Sequence, residues 1–274
     1  MLNFKDLETK GFLVIKKFLS KDALETIKQD YQKHKDLLDS EGFENKNYAL
    51  IGSKDHNFHQ WIDPIVGTIS QSTNLNINCV MPGNGYFSNQ LVNFDWHQDH
   101  ECYYRWQDMY NAINCWIPII KPNRYRSGIS IVPHNAWAEK YPDIYKNHIL
   151  GKGAKRFIKL DNGTTDMYDD NTGSVTNLPC YIDELSITPI LDPGDVLILR
   201  QDIVHRTQDN LSNRVSVSIR CRNINGILTK NNLLTSCPHK DMMIKNNPEW
   251  YNNFMEKFES TDQITIKDII ESDQ

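Results

Sequence analysis

The chain has 274 residues, of which 39% are hydrophobic and 24% charged, with a formal net charge of −5 at pH 7. A chain of this length buries a core without disulfides or a structural metal. Its scattered lysines and arginines exclude an electrostatic surface for nucleic acid or anionic membrane as the main contact. No apolar run reaches the roughly 18 residues of a transmembrane helix. The opening MLNFKDLETKGF lacks the charged-then-apolar order of a secretory leader. The six cysteines form no CxxC pair, and several sit in apolar runs where a free thiol packs as a small hydrophobe. These features predict a cytoplasmic protein without disulfides.

In chain order, Phe12 to Phe18 reads as a short strand. Ser20 then offers an N-cap to a helix with Leu24, Ile27, Tyr31 and Leu38 at helical spacing. Residues 40–64, rich in Asn, His and Gly, read as loop. Short strands follow at Asn76 to Met81, Tyr86 to Phe94, Ala112 to Ile120 and Gly128 to Val132, each bounded by Pro, Gly or Asn. Residues 151–184 are polar and Gly-rich, and they predict an insertion that acts as a mobile lid. Strands resume at Ile187 to Leu191, Asp195 to Arg200 after the Pro193-Gly194 turn, and Asn213 to Arg222. Near the end, Asn247 and Pro248 open a helix whose apolar face is Trp250, Phe254 and Phe258. The pattern predicts one domain over 1–274: mainly β, a double-sheet jelly roll (a double-stranded β-helix) with an N-terminal and a C-terminal helix.

The chemistry concentrates at His97-Gln98-Asp99. Alternate residues of a strand share a face, so His97 and Asp99 can reach one site together. An imidazole and a carboxylate make two-thirds of the two-His, one-carboxylate triad that binds iron(II) and leaves positions open for a cosubstrate and dioxygen. His205, ending the run after the Pro-Gly turn, is the natural third ligand. An HxD tripeptide alone is a weak signal. The segment after His205 strengthens it. Arg214, Ser216, Ser218, Arg220 and Arg222 share one face of a strand, and Val215, Val217, Ile219 and Cys221 share the other. A polar face inside a barrel needs partners for its guanidiniums, although the same pattern fits an exposed edge strand. Across a hairpin near Asp209-Asn210, Arg214 comes within reach of a dicarboxylate chelated to the metal. Arg214 and Ser216 together can hold a carboxylate.

With these residues in view, the sequence resembles the phytanoyl-CoA dioxygenase family over roughly residues 4–222. The resemblance rests on GFLVIKKFLSKDAL, on WHQD at Trp96 to Asp99, on NCWIPI, on GISIVPHNAW and on LDPGDVLILRQDIVHRTQDN. It departs from the family at Pro133-His134-Asn135, and the step from His205 to Arg214 is short. The resemblance implies a double-stranded β-helix, iron(II) held by His97, Asp99 and His205, and 2-oxoglutarate anchored by Arg214 and Ser216, with Arg220 a rival anchor. It implies oxidative decarboxylation to succinate and carbon dioxide coupled to hydroxylation of an unactivated C–H bond of a small molecule by dioxygen. The carboxylate at Asp99 favours hydroxylation or desaturation over halogenation.

Asn114 shares a strand face with Trp116 and can donate to the cosubstrate or simply line the core. Tyr103 and Tyr104 are candidate walls of the substrate pocket. The surplus of arginines suggests a small substrate carrying a carboxylate or similar anion, bound by Arg220 or by Arg126 from the loop. Two rival readings use the same fold: a cupin-type metal-dependent isomerase or hydrolase, and a non-catalytic small-molecule binder.

Overall fold

The computed structural model describes residues 5–41, 48–50, 56–73, 75–99, 112–170, 172–230 and 255–268. The helices that matter here are α1 (Lys5–Lys10), α2 (Lys21–Glu41), α3 (His56–Thr73) and α4 (His134–Lys140). The strands are β1 (Phe12–Ile15), β2 (Tyr48–Leu50), β3 (Cys79–Asn89), β4 (His97–Gln98), β5 (Ala112–Ile120), β6 (Ile129–Val132), β7 (Lys155–Lys159), β8 (Thr165–Asp169), β9 (Val175–Leu178), β10 (Val196–Arg200), β11 (Val204–Thr207), β12 (Val215–Arg222), β13 (Ile227–Thr229) and β14 (Gln263–Thr265). They form a major sheet in the order β1-β10-β5-β12-β3-β2 and a minor sheet in the order β6-β11-β4-β7-β8-β9, all antiparallel, with β13-β14 a separate hairpin. From β3 to β6, and again from β10 to β12, successive strands alternate between the two sheets. That alternation is the double-stranded β-helix.

Side-chain period explains the layers. On β12, Val215, Val217, Ile219 and Cys221 join the core cluster that also holds Ile27 of α2 and Trp61, Ile62, Ile65, Val66 and Ile69 of α3. The two helices therefore back the outer face of the major sheet. A second cluster, including Phe12, Trp116, Ile131, Leu197 and Ile203, fills the space between the sheets. A third, built on Trp96, Val132, Trp137, Phe157 and Met167, covers the minor sheet from outside. Among the described residues, no helix is long and apolar enough to cross a membrane, and Cys79, Cys115, Cys180 and Cys221 are free thiols.

Four expectations need correction. The loop reading of residues 40–64 fails, because α2 runs to Glu41, β2 occupies Tyr48–Leu50, and α3 begins at His56 and carries Pro64 inside it. The strand expected at Ile187 to Leu191 is reduced to one bridge, Ile187 opposite Ile131. The two strands expected before His97 are one, β3, whose pairing stops at Asn89. Residues 151–184, read without strands, contain β7, β8 and β9, which run as a meander that widens the minor sheet, with β7 paired to β4. The expected C-terminal helix from Asn247 falls largely in residues 231–254, outside the described residues. Phe258 packs with Leu228, Ile264 and Ile266.

A buried polar cluster supports the approach to β11. The Asp202 carboxylate accepts from Arg200 Nε at 3.0 Å, Arg200 Nη2 at 2.7 Å and the Gly151 amide at 2.9 Å. His134 Nε2 lies 3.6 Å from the same carboxylate. Gly11, at φ +80°, lies close beneath. A Cβ there would fall 2.6 Å from Ile203 Cδ1 and 3.0 Å from the His134 ring, so both backbone and space require glycine.

Burial pushes the His134 imidazole down to about 4, with Asp202 opposing the shift and Arg200 adding to it. Between pH 6.5 and 4 the unfolded chain then binds a proton that the native state lacks, so stability falls as pH drops through that window and no further below it. The difference corresponds to about 3 kcal/mol. Urea unfolding at pH 7 and pH 4.5 should show this loss, and a His134→Asn variant should reduce it, leaving the share of His205, which is lowered alike. An equal pH dependence in both proteins would refute the assignment to His134.

Candidate metal centre and cavity

The minor sheet places His205 of β11 directly opposite His97 of β4, and their ring centroids lie 4.3 Å apart. Asp99 follows β4 on the same face as His97. Its Oδ1 lies 3.4 Å from His97 Nε2 and 3.9 Å from His205 Nε2. One ligand atom from each of the three residues falls within 4.8 Å of the others, an arrangement that can hold a metal ion.

Both imidazoles are oriented by carbonyls two residues back. His97 Nδ1 lies 2.7 Å from the Asp95 carbonyl, and His205 Nδ1 lies 3.1 Å from that of Ile203. A carbonyl only accepts, so each Nδ1 carries the proton and each Nε2 turns its lone pair to the site. Burial, with His97 alongside, pushes His205 down to about 4, which keeps it a neutral donor near neutral pH. Burial would raise the Asp99 carboxyl, but the Arg220 guanidinium and the two imidazoles outweigh it and hold the group well below the usual carboxylate range. Gln98 points to the opposite face. Its Nε2 donates to the carbonyls of Ile149 at 3.0 Å and Asp202 at 2.6 Å, tying the two ligand segments together from behind.

A cavity of about 740 Å³ lies in front of the triad. Besides the triad, its walls include Tyr86, Asn114, Trp116, Thr207, Arg214 and Arg220, with Phe94, Arg156, Phe157 and Ile158 contributing where it opens. Arg214 is 2% exposed and charged at neutral pH, although burial lowers its pKa to about 10. Its Nη2 donates to the carbonyls of Asn89 at 2.6 Å and Val92 at 3.3 Å, and its Nε has no partner. Among the described residues no carboxylate pairs with it. A buried guanidinium in a cavity wall without an acid is a ready anion site.

The other sequence candidates distribute unevenly. Asn114 lines the cavity, but its Nδ2 donates to Asp99 Oδ2 at 2.5 Å. Arg220 Nη2 lies 3.7 Å from the same oxygen, and its guanidinium sits 5.9 Å from the Tyr86 ring. Its charge is thus matched at the metal end, which removes the motive for assigning it to a substrate anion. Ser216 is buried with its hydroxyl 3.1 Å from that of Ser88; Ser88 and Ser218 line the cavity and Ser216 does not. Arg222 turns away and donates to the Cys221 carbonyl at 2.9 Å. Arg126 is half exposed, pairs with Asp209 at 3.6 Å and lies outside the cavity wall, contrary to its expected substrate role. Tyr103 and Tyr104 lie outside the described residues. Sequence reasoning passed over Thr207 and Tyr86. Thr207 sits two residues beyond His205 and so on its strand face, a period-two signal that was available. Tyr86 is placed by its pairing with Ser218, which the sequence does not reveal.

The profile of the phytanoyl-CoA dioxygenase family matches residues 7–216, a span that contains the triad and Arg214. Among solved structures, the chain is similar to the non-heme α-ketoglutarate-dependent carbocyclase SnoK of nogalamycin biosynthesis, with a TM-score of 0.53 and 10% identity over 82% of this chain and 84% of that one. It is similar to the non-heme monooxygenase ThoJ in its nickel complex, with a TM-score of 0.53 and 12% identity over 80% and 77%. HygX from Streptomyces hygroscopicus, with nickel and 2-oxoglutarate bound, aligns with a TM-score of 0.50 and 13% identity over 79% and 84%. At such identities these likenesses establish the fold. No curated protein sequence matches the chain significantly. The alternating sheets, the His-Asp-His cluster and the profile match agree: the chain belongs to the phytanoyl-CoA dioxygenase family.

Proposed function

We propose that the chain is a single-domain iron(II)- and 2-oxoglutarate-dependent oxygenase that hydroxylates an unactivated C–H bond of a small molecule. In this reading His97, Asp99 and His205 hold the metal, and Arg214 holds the far carboxylate of 2-oxoglutarate. The observation that carries it is the coincidence, in one cavity, of a two-imidazole, one-carboxylate cluster and a buried arginine lacking an acid among the described residues. Iron(II) with 2-oxoglutarate supplies the activation of dioxygen, releasing succinate and carbon dioxide. The protein's own residues do the rest. Nδ1–H donation to backbone carbonyls keeps both imidazoles as Nε2 donors. Arg214 supplies a forked donor pair for the distal carboxylate, with Thr207 beside it. Trp116 and Leu199 give the cavity an apolar wall between the sheets. The carboxylate at Asp99 fills the ligand position that would otherwise admit a halide. The free thiols and the balance of charge suit the cytoplasm.

Anaerobic addition of iron(II) and then 2-oxoglutarate should produce a weak visible charge-transfer band, and zinc should produce none. Turnover of a substrate with zinc, without that band under iron, would transfer the site to a cupin-type hydrolase or isomerase, which has no use for the buried arginine.

A further inference from the structure

Asp99 has two oxygens, and the structure treats them differently. Oδ1 is the one that faces the two Nε2 atoms, at 3.4 Å and 3.9 Å. Oδ2 is met by Asn114 Nδ2 at 2.5 Å and by Arg220 Nη2 at 3.7 Å. Behind Asn114 stands Gln201, whose Nε2 lies 3.4 Å from Asn114 Oδ1. Gln201 follows β10 directly and is 1% exposed; its own Oε1 is buried with no partner among the described residues. Leaving a buried amide oxygen unsatisfied is unfavourable by about 1–3 kcal/mol, so its amide nitrogen is oriented at the expense of its oxygen.

We propose that Gln201 and Asn114 form a one-directional amide relay that pins Oδ2 of Asp99, so that this carboxylate offers the metal Oδ1 alone. The direction follows from chemistry at the terminus. A carboxylate only accepts, so Asn114 must point Nδ2 at it. That leaves Asn114 Oδ1 facing Gln201, which must answer with Nε2. Arg220 adds a positive charge 3.7 Å from the same oxygen. A carboxylate that swung both oxygens onto the metal would consume a coordination position that a chelating cosubstrate and dioxygen need. Asn114 is therefore a positioning residue, and Gln201, by answering its oxygen with a donor, permits that orientation. This inference rests on the proposed oxygenase reading.

The test exploits direction. In Gln201→Glu an acceptor faces Asn114 Oδ1, so the Asn114 amide turns round and presents oxygen to Asp99. In Gln201→Met nothing forces that turn. Anaerobic cobalt(II) titration of the whole protein should show affinity weakened ~10–100-fold in Gln201→Glu, as for other groups that orient metal ligands, and changed by less than about threefold in Gln201→Met. The cobalt ligand-field spectrum should change in the first variant only. Asn114→Leu should weaken cobalt binding comparably, and adding Gln201→Glu to it should have no further effect, since the relay is already cut. Equal losses in Gln201→Glu and Gln201→Met, or additive losses in the double variant, would overturn the relay. If Gln201→Glu does not fold, Asn114→Leu decides: unchanged cobalt affinity and spectrum overturn the proposal. Wild-type cobalt binding that survives His205→Ala would instead overturn the oxygenase reading itself.

Discussion

Replacing His205 by alanine should lower 2-oxoglutarate turnover by at least about three orders of magnitude, equivalent to about 4 kcal/mol, while leaving the protein folded. The imidazole contributes one of three ligand atoms and little packing, since its side chain contacts mainly the cavity and the facing His97 ring. The backbone of β11 keeps its ladders with β6 and β4 whatever side chain it carries. His97→Ala should behave alike. Asp99→Ala should also abolish turnover but cost more stability, because it strands the donors of Asn114 and Arg220 in a buried site. Succinate formation, bound iron and urea unfolding measured together check this. Succinate produced by His205→Ala at near wild-type rates would remove the residue from the metal site.

Arg214→Ala should raise the KM for 2-oxoglutarate by about 10²–10³-fold, the loss of a buried charge pair worth roughly 3–4 kcal/mol. Arg214→Lys should fall between, since it keeps the charge and loses the fork. Arg220→Ala should leave the KM for 2-oxoglutarate nearly unchanged and weaken metal binding instead. Arg214 immediately precedes β12 and Arg220 lies within it, and only Arg220 reaches Asp99. The measurement is a set of steady-state 2-oxoglutarate titrations at saturating iron. An elevated KM in Arg220→Ala beside a normal one in Arg214→Ala would exchange the two roles.

The sequence carried the parts of the fold that depend on period and punctuation. Ala112 to Ile120 was legible as a strand with the bounds it has, and the alternation of β12 separated the helix-facing valines from the cavity-facing arginines. The helix α3 was hidden because Pro64 and Gly67 interrupt a stripe, Trp61, Ile62, Ile65, Val66 and Ile69, that is helical in spacing. The meander at 151–184 read as a lid because its strands are short and polar on one face, and burial on the other is visible only once β7 meets β4. The ligand trio was readable from HxD and a distal His. The partners of Asn114, Arg126 and Arg220 were not, because they depend on cross-strand register and loop path, which side-chain type does not encode.

The meander has a further consequence. Arg156 of β7 is the rung directly opposite His97, and Ile158 lies one pleat farther along the same strand. Neighbouring strands stand about 4.8 Å apart and alternate side chains about 6.8 Å apart. This part of the wall is thus hydrogen-bonded to the strand that bears a metal ligand, at a register counted from that ligand like the marks of a gauge. The lengths of the side chains at 156 and 158 set how far a guest can advance toward the triad, and each rung is a graduation measured from His97.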